Sequence, residues 1–162
     1  MNELPMDERS SLDQFWMQRA IELAQLAESQ GEVPVGAVLV KDDQIIGEGY
    51  NSPISTNDPT AHAEIRALRD AAARIGNYRL LNTTLYVTLE PCLMCVGAIV
   101  HARVSEVVYG ASEPKTGAVG SVFDVLTSPV HNHQVATRGG IMASECAGLM
   151  KDFFTKRRLK PE

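Results

Sequence analysis

The sequence has little cysteine, few aromatic residues and no long apolar run. Its 162 residues include 3 cysteines, and only 6% of them are aromatic. Three cysteines do not match the even-numbered disulfide framework of a small secreted domain. No run approaches the roughly 18 apolar residues of a membrane span, and residues 1–10 lack the apolar core of a signal peptide. The sequence therefore predicts a cytoplasmic protein without a membrane partner.

The chain also lacks the positive charge of a protein that coats nucleic acid. Its formal net charge is -5, whereas non-specific coating depends on neutralising many phosphates. The last twelve residues differ, because they carry five cations against two acids. This composition is consistent with a local basic patch, and equally with a solvated helix end whose cations interact with the helix dipole.

The pattern of apolar residues predicts one domain across residues 1–162, with residues 1–10 as a flexible tail. The order of the elements predicts a three-layer α/β/α sandwich around a five-stranded mixed sheet. The predicted helices span residues 12–29, 60–73 after an N-cap at Asp58, 91–101, a short segment at 122–126 and a final stretch from Met142 to Phe153. The predicted strands span residues 35–40, 44–50, 84–89, 106–109 and 135–138.

Two short motifs together form a candidate zinc site. Cys92 and Cys95 lie one helical turn apart directly after a predicted strand, and His62 lies thirty residues upstream at another predicted helix start. Zinc prefers thiolate and imidazole ligands, and three protein ligands leave the fourth tetrahedral position for water, as in catalytic sites. Glu64 lies two positions after His62, which in a regular helix turns it about 200° away. If His62 reaches past the helix end, Glu64 could still approach that water and shuttle protons.

Three other interpretations are open at this stage. In a structural zinc site, a fourth protein ligand would come from one of Cys146, His101, His131 or His133. In a thiol–disulfide oxidoreductase, a C-x-x-C motif would also follow a strand at a helix start, but His62 and Glu64 would then have no role. His62 could finally be an ordinary core histidine, which the joint occurrence of both motifs disfavours.

His-x-Glu followed by Pro-Cys-x-x-Cys resembles the signature of the zinc-dependent nucleoside and nucleobase deaminases. Further segments, spanning roughly Trp16 to Arg158, resemble the bacterial tRNA-specific adenosine deaminases. These segments are Val33-Pro34-Val35-Gly36-Ala37-Val38, Asp58-Pro59-Thr60-Ala61-His62-Ala63-Glu64, Asn77-Tyr78-Arg79-Leu80, Thr84-Leu85-Tyr86-Val87-Thr88-Leu89-Glu90-Pro91-Cys92, Lys115-Thr116-Gly117-Ala118, and Phe153-Phe154 before Arg157-Arg158.

The resemblance implies a cytidine deaminase-like fold. It also implies hydrolytic deamination of the wobble adenosine to inosine in a tRNA anticodon loop, and in the family the substrate is an arginine tRNA. It implies one zinc ion per chain, bound by His62, Cys92 and Cys95, with Glu64 as the proton shuttle. By the same resemblance Asn51 hydrogen-bonds the flipped base, the backbone at Ala63 fixes the purine edge, and the enzyme is a homodimer.

Contacts to the tRNA are expected from two regions. Phe154, Arg157 and Arg158 in the last helix could meet neighbouring bases and phosphates by stacking and charge, whereas the helical register assigns Phe153 to the core. Glu113 stands where the family usually has Asp, so the charge is kept with an extra methylene.

Two other functions remain as alternatives. A guanine or cytosine deaminase acting on a free base would share both motifs, although the basic last helix and the segment Asn77-Tyr78-Arg79-Leu80 favour the tRNA enzyme. A zinc-stabilised binding module without catalysis would keep all its function after Glu64→Ala.

Overall fold

A computed structural model describes residues 6–159. In this range the chain forms five helices and five strands. They are α1 (Met6–Ser29), β1 (Gly36–Lys41), β2 (Gln44–Tyr50), α2 (Pro53–Thr56), α3 (Ala63–Ile75), β3 (Thr84–Leu89), α4 (Leu93–His101), β4 (Glu106–Ala111), β5 (Ala136–Arg138) and α5 (Ala143–Leu159).

The five strands form one mixed sheet in the order β2-β1-β3-β4-β5. β1 runs antiparallel to both β2 and β3, and β3, β4 and β5 are mutually parallel. β1 and β2 are joined by a tight hairpin, whereas the parallel pair β3 and β4 needs a crossover, which α4 supplies. The predicted five-stranded mixed sheet is confirmed.

Helices cover both faces of the sheet and make two separate cores. On one face, Ala67 of α3 and Ile99 of α4 pack against Leu85 in the centre of the sheet. On the other face, Met17 of α1 packs with Val108 of β4 and other apolar residues. The alternating burial of neighbouring strand residues follows from the two-residue period of a strand. The predicted three-layer α/β/α sandwich is confirmed.

Several helix boundaries differ from the prediction. α1 begins at Met6 rather than Leu12, so residues 6–10 of the predicted tail are helical, and residues 1–5 lie outside the described range. α3 begins at Ala63 rather than Thr60, because the Asp58 carboxylate accepts hydrogen bonds from the N–H and hydroxyl of Thr60 and closes a local turn instead of capping the helix.

α4 likewise begins at Leu93 rather than Pro91. The short helix predicted at 122–126 is wrong, since this segment is a loop in which Val119 and Asp124 form an isolated bridge. The four-residue helix α2 was not predicted. No helix within residues 6–159 has the length and apolar character needed to cross a bilayer.

Close contact between backbones sets the position of α3. Gly47 and Gly49 of β2 face this helix, and a Cβ atom at Gly49 would overlap the carbonyl oxygen of Ala63. Glycine allows the strand and the helix to approach more closely than any side chain would. The start of α3, where His62 and Glu64 lie, is therefore seated directly on the sheet.

Candidate active site

The structure brings His62, Cys92 and Cys95 together at two helix starts. His62 is the N-cap of α3 and Cys92 the N-cap of α4, both with extended backbone, while Cys95 lies in the first turn of α4. Nδ1 of His62 is 3.6 Å from Sγ of Cys92 and 3.5 Å from Sγ of Cys95. All three ligand atoms lie within 4.8 Å of one another.

These distances fit a tetrahedral zinc site. Zinc–sulfur bonds of about 2.3 Å and zinc–nitrogen bonds of about 2.0 Å place tetrahedral N and S ligands about 3.5 Å apart. The two measured N···S distances are 3.6 and 3.5 Å. Two thiols and one imidazole are also the ligand types that zinc prefers. The three residues could therefore hold zinc without a change in geometry.

None of the four residues considered as a fourth ligand joins the group in the described part of the chain. Cys146 is buried on the opposite face of the sheet, in the core made by α1 and α5. His131 and His133 each donate a ring N–H to a backbone carbonyl in another part of the structure, and His101 lies exposed at the far end of α4. The site is thus a three-residue set, which is typical of catalytic rather than structural zinc.

Hydrogen bonds among His62, Cys92 and Cys95 shift the pKa values of all three groups. Hydrogen bonds from Cys95 and His62 outweigh burial and lower the pKa of Cys92 to about 3. The bond to Cys92 and burial raise the pKa of Cys95 above its usual range. The bond to Cys92 also raises the pKa of His62. Binding of a divalent cation to this set would release protons, so metal affinity would fall as pH falls.

Glu64 lies beside this group with its carboxyl buried. The residue is only 4% exposed, and burial raises the pKa of its carboxyl group. His62 precedes the helix, with φ of −73° and ψ of 155°, so the rotation of a regular helix does not apply between the two residues. Both side chains consequently face the same cavity. A carboxyl group with a raised pKa is suited to take up and release a proton near neutral pH.

The cavity has a volume of about 530 Å³, within the range of small-molecule sites. It lies at the carboxyl end of β3 and β4 and is closed on one side by α5 and on another by the loop after β4. The residues predicted for the site that line it are Asn51, His62, Glu64, Cys92, Glu113 and Phe154. Cys95 and Ala63 are buried, and Arg157 and Arg158 do not line it.

Asn51 directly follows β2 and is 9% exposed. Its backbone N–H donates to the carbonyl oxygen of Val35 at 3.0 Å, which fixes its position at the cavity. The next residue, Ser52, receives a hydrogen bond of 2.8 Å from Arg66. Glu32 accepts hydrogen bonds from Ile54 and Ser55 at the start of α2. The sequence analysis missed both Arg66 and Glu32.

Glu113 lies in the loop after β4, half-buried. Its carboxylate accepts the N–H of Lys115 at 2.9 Å, and its own N–H donates to Glu90 at 3.1 Å. Pro114, Lys115 and Thr116 line the cavity with it. The carboxylate of Glu113 therefore lies in a turn within its own loop.

Glu90 is a third residue near the site whose role was not predicted from the sequence. It is 3% exposed and accepts hydrogen bonds from Glu113, Val119 and Ser121. Burial alone raises the pKa of Glu90, but these bonds, above all that from the Ser121 hydroxyl, lower it below its usual value. A detectable signal was an acidic residue directly after strand β3, between that strand and the Cys92 motif.

The two neighbouring phenylalanines of α5 have different environments. Phe153 is buried, as its register predicts, whereas Phe154 is 39% exposed and lines the cavity. Arg157 places its guanidinium 5.8 Å from the ring centre of Phe153, and Arg158 donates to the carbonyl oxygen of Phe154. Both arginines are exposed. Phe154 thus presents aromatic surface to the cavity, and the two arginines lie on the following turn of α5.

Comparisons with known proteins agree with this geometry. The model of the MafB19-like deaminase family matches residues 12–158. A tRNA-specific adenosine deaminase from Haemophilus influenzae is 56% identical over 151 residues, covering 93% of this chain and 87% of the relative.

Two solved structures are also similar. One comes from a study of A-to-I editing by tRNA deaminases at the wobble position of transfer RNA; it has a TM-score of 0.80 and 42% identity, covering 83% of this chain and 98% of that one. The guanine deaminase of Bacillus subtilis has a TM-score of 0.60 and 34% identity, covering 91% and 95%. The chain therefore belongs to the MafB19-like deaminase family and, within it, to the tRNA-specific adenosine deaminases.

Proposed function

We propose that this protein deaminates the wobble adenosine of a tRNA anticodon loop to inosine, with water as co-substrate and ammonia as the second product. One observation carries the proposal: His62, Cys92 and Cys95 lie at zinc-ligand distances beside the buried carboxyl of Glu64. The 56% identity with the tRNA-specific adenosine deaminase of Haemophilus influenzae supports the choice of substrate. An arginine tRNA is the specific substrate that we infer from the family.

In this proposal His62, Cys92 and Cys95 bind one zinc ion per chain. Zinc, when bound by three protein ligands, supplies a Lewis acid that activates water at neutral pH. The residues of the chain control the protons. Glu64 takes a proton from the attacking water and delivers it to the purine ring nitrogen. A second proton reaches the amino group through the same carboxyl, so that the bond between C6 and the amine breaks and ammonia leaves.

Asn51 and the backbone of Ala63 hold the base. The buried amide of Asn51 offers both a donor and an acceptor to a purine edge. Ala63 is the first residue of α3, and the first N–H groups of a helix have no partners within it. A buried donor or acceptor left without a hydrogen bond costs free energy. These groups therefore favour the purine edge that satisfies all of them.

The residues around the cavity mouth contact the rest of the anticodon loop. An unpaired loop nucleotide turns outward at less cost than a paired one, and this suits a cavity that admits a single base. Phe154 stacks on a neighbouring base, and Arg157 and Arg158 contact phosphates of the loop. Glu113, which can only accept hydrogen bonds, contacts ribose hydroxyls instead. The substrate is found in the cytoplasm, which we propose as the site of action.

A homodimer is part of the proposal. Leu93 and Met94 are exposed apolar residues in the first turn of α4, next to the cysteine ligands. A second copy that covered them would remove apolar surface from water close to the site. Light scattering of the purified protein tests this, and a monomer at micromolar concentration would contradict it.

A guanine deaminase acting on the free base is the second candidate. The structure of the Bacillus subtilis guanine deaminase, at 34% identity over 91% of this chain, favours it. The higher identity of the tRNA enzymes and the exposed cations of α5 favour tRNA.

Nucleoside mass spectrometry of a tRNA mixture, before and after incubation with the protein, decides between them. We expect new inosine in tRNA and none in a stem-loop whose wobble adenosine is replaced by guanosine. Ammonia release from free guanine or cytosine without new inosine in tRNA would overturn the proposal.

A further inference from the structure

Glu90 is a carboxylate whose hydrogen-bonding capacity is fully used by one loop. We call this loop, residues 112–121, the wall segment. One carboxylate oxygen accepts the N–H of Glu113 at 3.1 Å and the hydroxyl of Ser121. The other accepts the N–H of Val119 at 2.9 Å and that of Ser121 at 3.1 Å. Among residues 6–159, no cation forms a salt bridge with Glu90.

Main-chain hydrogen bonds join the chain at Glu90 and Pro91 to the wall segment and to the end of β4 directly before it. The N–H of Glu90 donates to the carbonyl oxygen of Ala111 at 2.9 Å, and the N–H of Ala118 donates to that of Pro91 at 2.9 Å. Cys92 follows Pro91 directly. The wall segment is thereby fastened to the chain immediately before a proposed zinc ligand, and residues 112–116 of the same segment line the cavity.

The fit between Glu90 and the wall segment is specific to a carboxylate. All four groups that face it are donors, and an ionised carboxylate is a pure acceptor. An amide at this position would turn its NH₂ towards N–H groups that already need an acceptor. Gly117 is also required, since a Cβ atom there would lie 2.5 Å from the Glu90 carboxylate.

We propose that Glu90 is a positioning residue, which holds the cavity-lining part of the wall segment at the distance from Cys92 that the substrate base requires. Glu90 does not touch the reacting atoms in this role. It acts through Glu113 and its neighbours, whose position decides how well the base and the adjoining nucleotide are bound. The inference about the base rests on the proposed function, whereas the anchoring of the wall segment does not.

Glu90→Gln tests the role by two independent measurements. Amide hydrogen exchange of Glu113, Val119 and Ser121 should accelerate about tenfold or more, because charge-assisted bonds to their N–H groups are lost. KM for a tRNA anticodon stem-loop should rise about tenfold by the same argument, with a smaller fall in kcat and zinc content kept at the wild-type level.

Glu32→Gln is the matched control, since Glu32 is also a buried carboxylate that accepts backbone N–H groups. In this variant exchange should accelerate at Ile54 and Ser55 but not in the wall segment. General destabilisation would instead accelerate exchange in both segments in both variants, and that result would overturn the proposal.

Ser121→Ala is the milder second variant, should Glu90→Gln fail to fold. It removes only the hydroxyl bond, so exchange at Val119 and KM should change in the same direction by a smaller factor. Unchanged exchange and unchanged KM in the variants would overturn the role of Glu90. Absence of inosine formation by the wild-type protein would overturn the proposed function instead, and the exchange measurements would still test the anchoring.

Discussion

Buried carboxylates are satisfied in two different ways in two regions of this molecule. Near the cavity, Glu32 and Glu90 accept hydrogen bonds from backbone N–H groups and serine hydroxyls, Glu32 from the short helix α2 and Glu90 from the loop after β4. On the sheet face covered by α1, Asp13 and Glu106 are paired instead with the guanidinium of Arg138. The first arrangement fixes loops around a site, and the second joins regular elements to one another.

The second region, which we call the arginine cluster, consists of Asp13, Tyr86, Glu106 and Arg138. Arg138 donates to both Asp13 and Glu106, and the Tyr86 hydroxyl donates to Asp13 at 2.9 Å. Asp13 lies in α1, Tyr86 in β3, Glu106 in β4 and Arg138 in β5. Asp13 is only 2% exposed, so these partners take the place of water around its carboxylate.

The contrast indicates which region contributes mainly to activity and which contributes mainly to the free energy of unfolding. A carboxylate that binds N–H groups holds a segment without regular structure in one conformation, as a site requires. A carboxylate paired with a guanidinium links elements that already have their own hydrogen bonds. Mutations in the two regions should therefore separate activity from stability.

The largest expected effect is at the site itself. Glu64→Gln removes the proposed proton shuttle while keeping the shape of the side chain, so kcat should fall by about 10² to 10⁴-fold, the usual range for general acid–base catalysis. Inosine formation under saturating stem-loop measures this. Zinc content should stay near one ion per chain, whereas Cys92→Ser should lose the metal. A Glu64→Gln protein with wild-type turnover would show that Glu64 is not the proton shuttle.

Arg138→Met should break the arginine cluster and leave the site intact. Because Asp13 would remain buried without its cation, the free energy of unfolding should fall by about 3 kcal/mol. Urea denaturation measures this loss, and kcat at 25 °C should be unchanged. Combining Arg138→Met with Asp13→Asn should cost less than the sum of the two single changes. Additive losses would show that the pair does not interact.

Phe154→Ala and Phe153→Ala form a matched pair on α5. Stacking on a base contributes about 1–3 kcal/mol, so Phe154→Ala should raise KM for the stem-loop about tenfold with little change in the unfolding temperature. Phe153 is buried, and its replacement by alanine should reduce stability by about 3 kcal/mol. Equal effects of the two changes on KM would contradict a substrate contact by Phe154.

The smallest effect expected is that of Glu32→Gln on stability, and it should depend on pH. Burial raises the pKa of Glu32, but the hydrogen bonds from Ser55 and Ile54 outweigh burial and lower it below 4.5. A lowered pKa in the folded state stabilises the protein above pH 4.5, and this contribution is lost as pH falls through the folded-state pKa.

At pH 7 Glu32→Gln should therefore be less stable than the wild type by about 1 kcal/mol. The gap should close as the solution is acidified below the folded-state pKa, which thermal unfolding across pH 3–7 would follow. A gap that is constant over this range would show that the charge of Glu32 makes no contribution.

The sheet and the motifs could be predicted because they are local or periodic. Apolar runs and turn residues predicted all five strands, each to within two residues of both ends. The start of α3 could not be predicted, because Asp58 has the side chain of a good N-cap but uses it in a turn with Thr60. That shift also explains how His62 and Glu64 face one cavity when a regular helix would separate them.

The roles of Glu32 and Glu90 could not be predicted for a different reason. Their partners are mostly backbone N–H groups at positions more than twenty residues away, and every residue except proline carries such a group. No side-chain pattern in the sequence therefore distinguishes these partners from any other loop residue.

The bare backbone contact between Gly49 and Ala63 also bears on attempts to redesign this enzyme. A single methyl group at Gly49 would force the strand and the helix apart by about 1 Å, because backbone atoms cannot rotate away as a side chain can. Libraries of variants that aim to admit a larger nucleobase should leave the contact between Gly49 and Ala63 unaltered. Graded changes in the width of the cavity are better sought at the exposed residues that line it, which include Ser112, Pro114 and Thr116.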